Sequence, residues 1–213
     1  VNNQEEDLVQ KFTKNIFLDS SKKQIILWNL TRLAESILPL IDEDEKKAVT
    51  ALEGLLRQIS DDFDQLYYQK MAKKIGIDDC QDGDRDLIDD FLDILAKQKL
   101  DFTNSFRQLA SSLVERDGAA PDVMQEWIEN WRQRVSDQNH DRLVAKMNKC
   151  NPFFVPRNYQ VIEIAEKAVN GDLSELQQLL ESIKAPYLES KQAAKYKNVA
   201  DQNQAQLKTF CGT

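Results

Sequence analysis

Along most of this chain apolar residues recur every three or four positions, the spacing that lines one face of an α-helix, and no segment alternates long enough to argue a strand. The first stretch carries only a weak stripe, Leu8, Phe12 and Ile16. Asp19-Ser20-Ser21 then supplies cap residues, and Ile26, Leu30, Leu33, Ile37 and Leu40 form a strong stripe. Asp42, with Glu45 three residues on, predicts a capping box. The helix it opens is long: Val49, Leu52, Leu55, Leu56, Ile59, Phe63, Leu66 and Tyr67 hold one stripe to Lys74, where Gly76 stops it. An acidic loop leads to Leu87, Ile88, Phe91, Leu92 and Leu95. Asp101 caps a helix bearing Phe102, Phe106, Leu109 and Leu113. Asp117 to Pro121 breaks the chain, and Pro121 suits a helix start.

Val123, Trp127, Trp131 and Val135 follow at every fourth position, and Asp137 to Met147 reads as a short polar helix. Asn151-Pro152 and Pro156 punctuate a turn before Ile162, Ile164, Ala165 and Ala168. Gly171-Asp172 joins a last helix, Leu173 to Ile183, that Pro186-Tyr187 ends. From Leu188 to Lys208 the chain is rich in Gln, Lys and Ala, with little to bury. The pattern predicts an all-α protein, a multi-helix bundle: an N-terminal segment 1–22, a helical domain 23–187, and a polar tail 188–213 ending in Cys-Gly-Thr.

Composition narrows the picture. A chain of 213 residues that is 41% hydrophobic can bury one large core or two small ones, which excludes wholesale disorder. Its 6 Gly and 5 Pro are too few for the many turns of a sandwich or barrel. With 36 acidic against 28 basic residues the net charge is −8, so nucleic acid is excluded as a partner class, because backbone phosphates demand concentrated Lys and Arg. No run of about 18 apolar residues is present to span a membrane. The acidic start differs from a secretory n-region, and Val1 in place of Met points to a piece of a longer protein. Three scattered cysteines, Cys80, Cys150 and Cys211, make no disulfide framework, so a reducing, cytoplasmic setting is expected.

Candidate chemistry is sparse. Gly54, Gly76, Gly83, Gly118, Gly171 and Gly212 stand too far apart for a phosphate-cradling loop, which needs backbone amides brought close by neighbouring glycines. His140, the single histidine, sits in a polar stretch without zinc-ligand spacing and reads as a solvated residue rather than a general base. With Asp78 as first position of a calcium loop, Asp82, Gly83, Asp84, Asp86 and Asp89 fall at the fifth, sixth, seventh, ninth and twelfth. Cys80 at the third position and Asp at the twelfth depart from that pattern, and a solvated helix cap is the other reading. Trp127 and Trp131 share one helical face, as core or as an aromatic platform. Arg32, Arg107 and Arg157 stand beside apolar runs, as anion ligands or as partners of the abundant carboxylates.

Several segments together resemble the selenoprotein O (SelO, also called YdiU) family. Trp28-Asn29-Leu30-Thr31-Arg32-Leu33-Ala34 is similar to its W-N-L-x-R-L-A segment. Asp101-Phe102-Thr103-Asn104-Ser105-Phe106-Arg107-Gln108-Leu109 is similar to D-[FY]-T-x-x-F-R-x-L. Trp127 and Trp131 resemble the family's W-x-x-W/Y helix, and Asn151-Pro152 through Val155 to Arg157-Asn158 its N-P-x-x-V-x-R-N. Gly171-Asp172, Pro186-Tyr187 and Phe210-Cys211-Gly212-Thr213 follow in the family's order, so the likeness covers residues 25–213. Ser21-Lys22-Lys23 replaces the family's N-Q-P, and a Gln/Lys-rich stretch replaces its aromatic, proline-rich tail.

The resemblance implies a protein-kinase-like fold that transfers AMP from ATP to protein hydroxyls with magnesium, while the nucleotide, metal and catalytic residues lie upstream of this region. The chain is then the C-terminal part: later helices of the lobe plus a helical extension, holding no nucleotide, cofactor or metal of its own and inactive alone. Its partners are the missing N-terminal kinase-like core and, through the whole enzyme, protein substrates. Trp28, Phe106 and Trp127 are expected as core anchors, and Arg32, Arg107 and Arg157 as buried or interface ion-pair partners. Cys211 occupies the place of the family's redox-active selenocysteine or cysteine, which pairs in the family with a cysteine this chain lacks. The alternative is a free-standing helical module that binds a protein partner through an exposed apolar face.

Overall fold

The computed structural model describes residues 21–114 and 122–198. The stripe Leu8, Phe12, Ile16, the cap residues Asp19 and Ser20, the break from Asp117 to Pro121, and Cys211 with the rest of the tail past Asn198 lie outside the described residues. Among the described residues the elements are all helical: α1 Ser21–Ile41, α2 Glu45–Lys74, α3 Asp82–Lys97, α4 Phe102–Ser111, α5 Asp122–Arg134, α6 His140–Cys150, α7 Asn158–Val169, α8 Ser174–Ile183, α9 Lys191–Ala194, and a 3-10 turn Lys195–Lys197. None of these helices is long and apolar enough to cross a membrane. The all-α expectation holds, with boundaries close to those the stripes imply.

Two compact units divide the chain, Val1–Tyr67 and Tyr68–Thr213, and the 30-residue α2 supplies residues to both. In the first, α1 lies on the N-terminal half of α2. Ala34, Leu52 and Leu56 form its core with Leu30 and Leu38 packed against them, and Leu27 and Ala48 are buried as well. At about 2 kcal/mol for each fully buried Leu, this seam is modest. It is reinforced by buried Lys23, whose Nζ donates to Asp64 Oδ1 at 2.6 Å and lies 5.9 Å from the Phe63 ring centroid. The α1–α2 turn corrects the expected cap. Asp42 Oδ1 accepts from the Asp44 N–H at 2.8 Å, and it is Asp44 whose carbonyl takes the first helical bonds from Lys47 and Ala48, 3.0 Å each. An Asx turn leaves Asp42 two positions before the cap residue, so the Asp42–Glu45 box does not form.

A second correction concerns Trp28 and Arg32. Trp28 is 50% exposed rather than a core anchor, because it lies on the flank of α1 away from Leu27, Thr31 and Ala34. Its ring is covered by the Arg32 guanidinium, 5.9 Å from the centroid, and exposed Arg32 pairs locally with Glu35. Asn29 is likewise exposed.

The second unit carries the larger core. Phe91, Phe106, Trp131, Ile75, Ile77, Ile88, Val135, Leu143 and Met147 are all fully buried. Trp127 stacks on Phe91 at 4.5 Å between centroids, Trp131 lies parallel to Trp127 at 6.0 Å, and Phe106 meets Phe91 edge-on at 5.0 Å. Both indole N–H groups are satisfied, Trp127 on the Leu87 carbonyl and Trp131 on the Ile75 carbonyl, each at 2.8 Å. Buried aromatic bodies with bonded polar tips are core, so the platform reading falls.

Gly76 ends α2 as the sequence predicts. Its φ is +82°, the Ile77 N–H returns to the Ala72 carbonyl at 2.9 Å and the Gly76 N–H to Lys73 at 3.2 Å, a Schellman pattern. A Cβ there would also sit 2.3 Å from Leu143 Cδ1, so glycine is required twice over.

The polar tail departs from expectation. Residues 191–197 are helical, and Ala193 and Tyr196 are buried in a satellite core with Phe153, Phe154, Ile164 and Leu179. Tyr196 stacks on Phe154 at 5.4 Å. Two buried side chains, Ala193 and Tyr196, suffice to dock a segment whose average composition is polar.

Candidate functional site

Four motif residues of the second unit, Asp101, Arg107, Asn151 and Arg157, converge on one junction. Asp101 precedes α4 in extended backbone, and its Oδ1 accepts the Asn104 N–H at 2.8 Å, satisfying an otherwise orphaned donor of the first turn. The same carboxylate takes Arg157 Nη2, at 2.8 Å to Oδ1 and 2.7 Å to Oδ2. Arg157 in turn opens α7, its N–H donating to Gln160 Oε1 at 2.9 Å. One carboxylate therefore caps one helix and anchors the start of another.

One turn further along α4, Arg107 is only 5% exposed. Its Nη1 donates to the carbonyls of Asn148 at 3.3 Å and Asn151 at 3.2 Å, its Nη2 bonds the Glu189 carboxylate, and its guanidinium lies 5.3 Å from the Phe153 ring centroid. A planar fork aims separate nitrogens at the two carbonyls and at the carboxylate, where a lysine would offer a single ammonium nitrogen. Fully buried Asn151 completes the network: its Nδ2 donates to the Lys74 carbonyl at 2.7 Å and its Oδ1 accepts Lys74 Nζ at 2.8 Å. The Lys74 ammonium lies 4.8 Å from the Phe106 centroid and 5.5 Å from that of Phe102. Burial lowers the Lys74 pKa, with Cys150 pulling the other way.

The C-terminal segment closes this junction. Asn104 Nδ2 donates to the Lys197 carbonyl at 3.1 Å, Gln160 Nε2 to that of Lys195 at 3.4 Å, and the Tyr159 hydroxyl to that of Asn198 at 3.2 Å. Asn104 Oδ1, Arg157 Nε and the Tyr196 hydroxyl are buried without a hydrogen-bond partner, so polar burial is least compensated here. Chemically the arrangement is a lock: the charged motif groups bond one another and the backbone, joining the end of α2, α4, α6, α7 and the segment after Pro186.

Other candidate residues are dispersed. Asp84 is buried in a bidentate pair with Arg134, 2.7 and 2.9 Å, and also accepts the Gln81 N–H at 2.7 Å. Asp78 pairs with Lys146, and Asp89 accepts the Tyr68 hydroxyl at 2.9 Å. The calcium register is thus spread over separate cationic or hydroxyl partners, and among the described residues no group of His, Cys, Asp and Glu could hold a metal ion. His140 is the exposed first residue of α6. Burial, then Asp84, pushes the Cys80 thiol pKa up, away from the reactive thiolate form. Pro152 is half-buried and Asn158 exposed at the start of α7. Between α1 and α2 an apolar recess of about 20 Å³, lined by Ala34, Leu38, Leu52 and Leu56, is far smaller than a ligand pocket of roughly 300 Å³.

Sequence reasoning missed Lys74, Asn104, Gln160, Glu189 and Tyr196. Lys74 reads as an ordinary basic residue at a helix end, and Gln160, three residues after Arg157, carried the only local signal, a capping-box spacing.

The family model described as protein adenylyltransferase SelO matches residues 17–184. The chain is similar to the protein nucleotidyltransferase YdiU of Rhodopseudomonas palustris strain BisB18, 36% identical over 203 residues, 91% of this chain and 41% of that protein. It is similar to the YdiU protein of Bradyrhizobium diazoefficiens, 37% identical over 204 residues, 91% of this chain and 42% of that protein. For the YdiU protein of Geobacillus kaustophilus strain HTA426 the identity is 36% over 192 residues, 87% of this chain and 39% of that protein. The chain spans about two fifths of the length of these curated relatives.

Proposed function

Because the chain belongs to the SelO/YdiU family of protein nucleotidyltransferases, we propose that it is the supporting helical part of such an enzyme, in which residues outside this chain pass AMP from ATP to protein hydroxyls with magnesium. The observation that carries this reading is the use to which the motif residues are put. Asp101, Arg107, Asn151 and Arg157 bond one another's helices and backbone, which suits a scaffold. Two smaller features fit the same role. The recess between α1 and α2 is apolar and small, and the aromatic column of Phe91, Trp127 and Trp131 is sealed inside the second unit. The partners in this reading are the remainder of the enzyme and its protein substrates. Cys211, within the Phe210-Cys211-Gly212-Thr213 segment that resembles the family's, takes the redox role in this reading.

The test is titration calorimetry of this chain with ATP and magnesium. The expected result is no binding heat; saturable binding at micromolar nucleotide overturns the assignment of the nucleotide site to residues elsewhere.

A further inference from the structure

Helix α1 has two apolar sides. One, Leu30, Ala34 and Leu38, packs on α2. On the other, Ile25, Ile26, Leu33 and Leu40 stand in a stripe about 22 Å long at 1.5 Å per residue, and Leu40 is 83% exposed. In a chain that is 30% charged, the residues from Gln24 to Ile41 carry only Arg32 and Glu35, and those two are paired on the flank beside Trp28. A helix facing water on one side places its charges there. This one does not.

We propose that the outward stripe of α1 is a docking surface whose occupant is the part of the nucleotidyltransferase that this chain does not span; the inference rests on the reading above. Two observations select that occupant over a second copy or an unrelated partner. The family match begins at residue 17, so α1 lies inside the region shared with relatives, and those relatives carry well over half their length outside the shared region. The stripe is uncharged from end to end, so the complementary surface is apolar and permanent, the chemistry of an interior seam rather than of a transient charged contact. Trp28 and Arg32 fit the edge of such a seam, where an aromatic ring is half-covered and a guanidinium keeps its own partner.

The test places the same change in two intact proteins. Leu33→Glu, and separately Ile26→Glu, are made in this chain and at the aligned positions of the Rhodopseudomonas palustris relative, and Tm is followed by circular dichroism. The expected result is a shift within about 1 °C in this chain, where the positions face solvent, and a fall of about 5 °C or more in the relative, where a carboxylate enters a buried seam. Equal small shifts in both proteins overturn the docking surface and leave the scaffold reading standing. A polar residue already present at both aligned positions does the same. Sedimentation of this chain supplies the remaining outcome: a dimer dissociated by Leu33→Glu overturns the proposal in favour of a second copy. Failure of the scaffold reading registers separately, as ATP binding by this chain.

Discussion

Arg157 Nη2 lies 2.7 Å from Asp101 Oδ2, so the residue that caps α4 also holds the residue that opens α7, 56 positions later in the chain. Neither partner is a free charge on a surface: the side chains are 24% and 14% exposed, inside the range where breaking a pair leaves an incompletely solvated ion. Two of the sequence motifs that carry the family likeness are thus halves of one contact.

Asp101→Ala removes both the cap and the ion pair and is expected to cost about 2–3 kcal/mol. Asp101→Asn keeps a cap acceptor and is expected to cost about half that. Urea melts of Asp101→Asn, Arg157→Gln and the double variant give a coupling energy, expected at about 1 kcal/mol or more. A coupling near zero would show that the two residues act independently.

Tyr196 separates packing from polarity. Tyr196→Ala empties a site stacked on Phe154 and is expected to cost about 3 kcal/mol. Tyr196→Phe deletes a buried hydroxyl with no hydrogen-bond partner and is expected to leave stability unchanged or raise it by up to about 1 kcal/mol. A loss on Tyr196→Phe comparable to that on Tyr196→Ala would mean the hydroxyl is bonded in solution.

Lys99 closes α3 with φ +53°, the place a glycine usually takes: the Leu100 N–H returns to the Leu95 carbonyl at 2.9 Å and the Lys99 N–H to Ala96 at 3.2 Å. Left-handed backbone costs a residue with a Cβ about 1 kcal/mol. Lys99→Gly is expected to raise stability by about 0.5–1 kcal/mol, read as a higher urea midpoint at unchanged slope. Lys99→Val, with a β-branched side chain in the same conformation, is expected to lower it.

The acidic face of α3 gives a pH dependence. The Asp89 pKa is raised above 3.8, first by burial and then by the like charges of Asp86, Asp93 and Asp90, against the opposing bond from Tyr68. The folded state therefore binds this proton more tightly than the unfolded state. Its contribution is full below pH 3.8 and is lost as pH rises through the raised folded value, leaving a penalty at neutral pH. Asp89→Asn is expected to stabilise at pH 7 by a few tenths of a kcal/mol, because the carboxyl is partly exposed and screened. Thermal melts at pH 7 and below pH 3.8 check it, since the advantage should disappear at the acid end.

What the residue order determined by itself was local. Stripes at helical spacing located the helices, Gly76 marked the end of α2, Asp101 marked the start of α4, and the Trp127–Trp131 spacing placed two indoles on one face. Each of these depends on neighbours within about a turn, which the chain carries with it wherever it folds. The tertiary structure decided which faces are covered. Trp28 reads like a core residue and is half-exposed, while Tyr196, in a stretch of Gln, Lys and Ala, is buried. Asp42 and Asp44 compete for one cap, and the turn geometry chooses Asp44. The junction itself was legible only as separate motifs, because the bonds that unite Asp101 with Arg157, and Lys74 with Asn151, join residues more than fifty positions apart. A local pattern cannot reach that far, since the gain from such a contact exists only once packing has brought both partners together and excluded water from them.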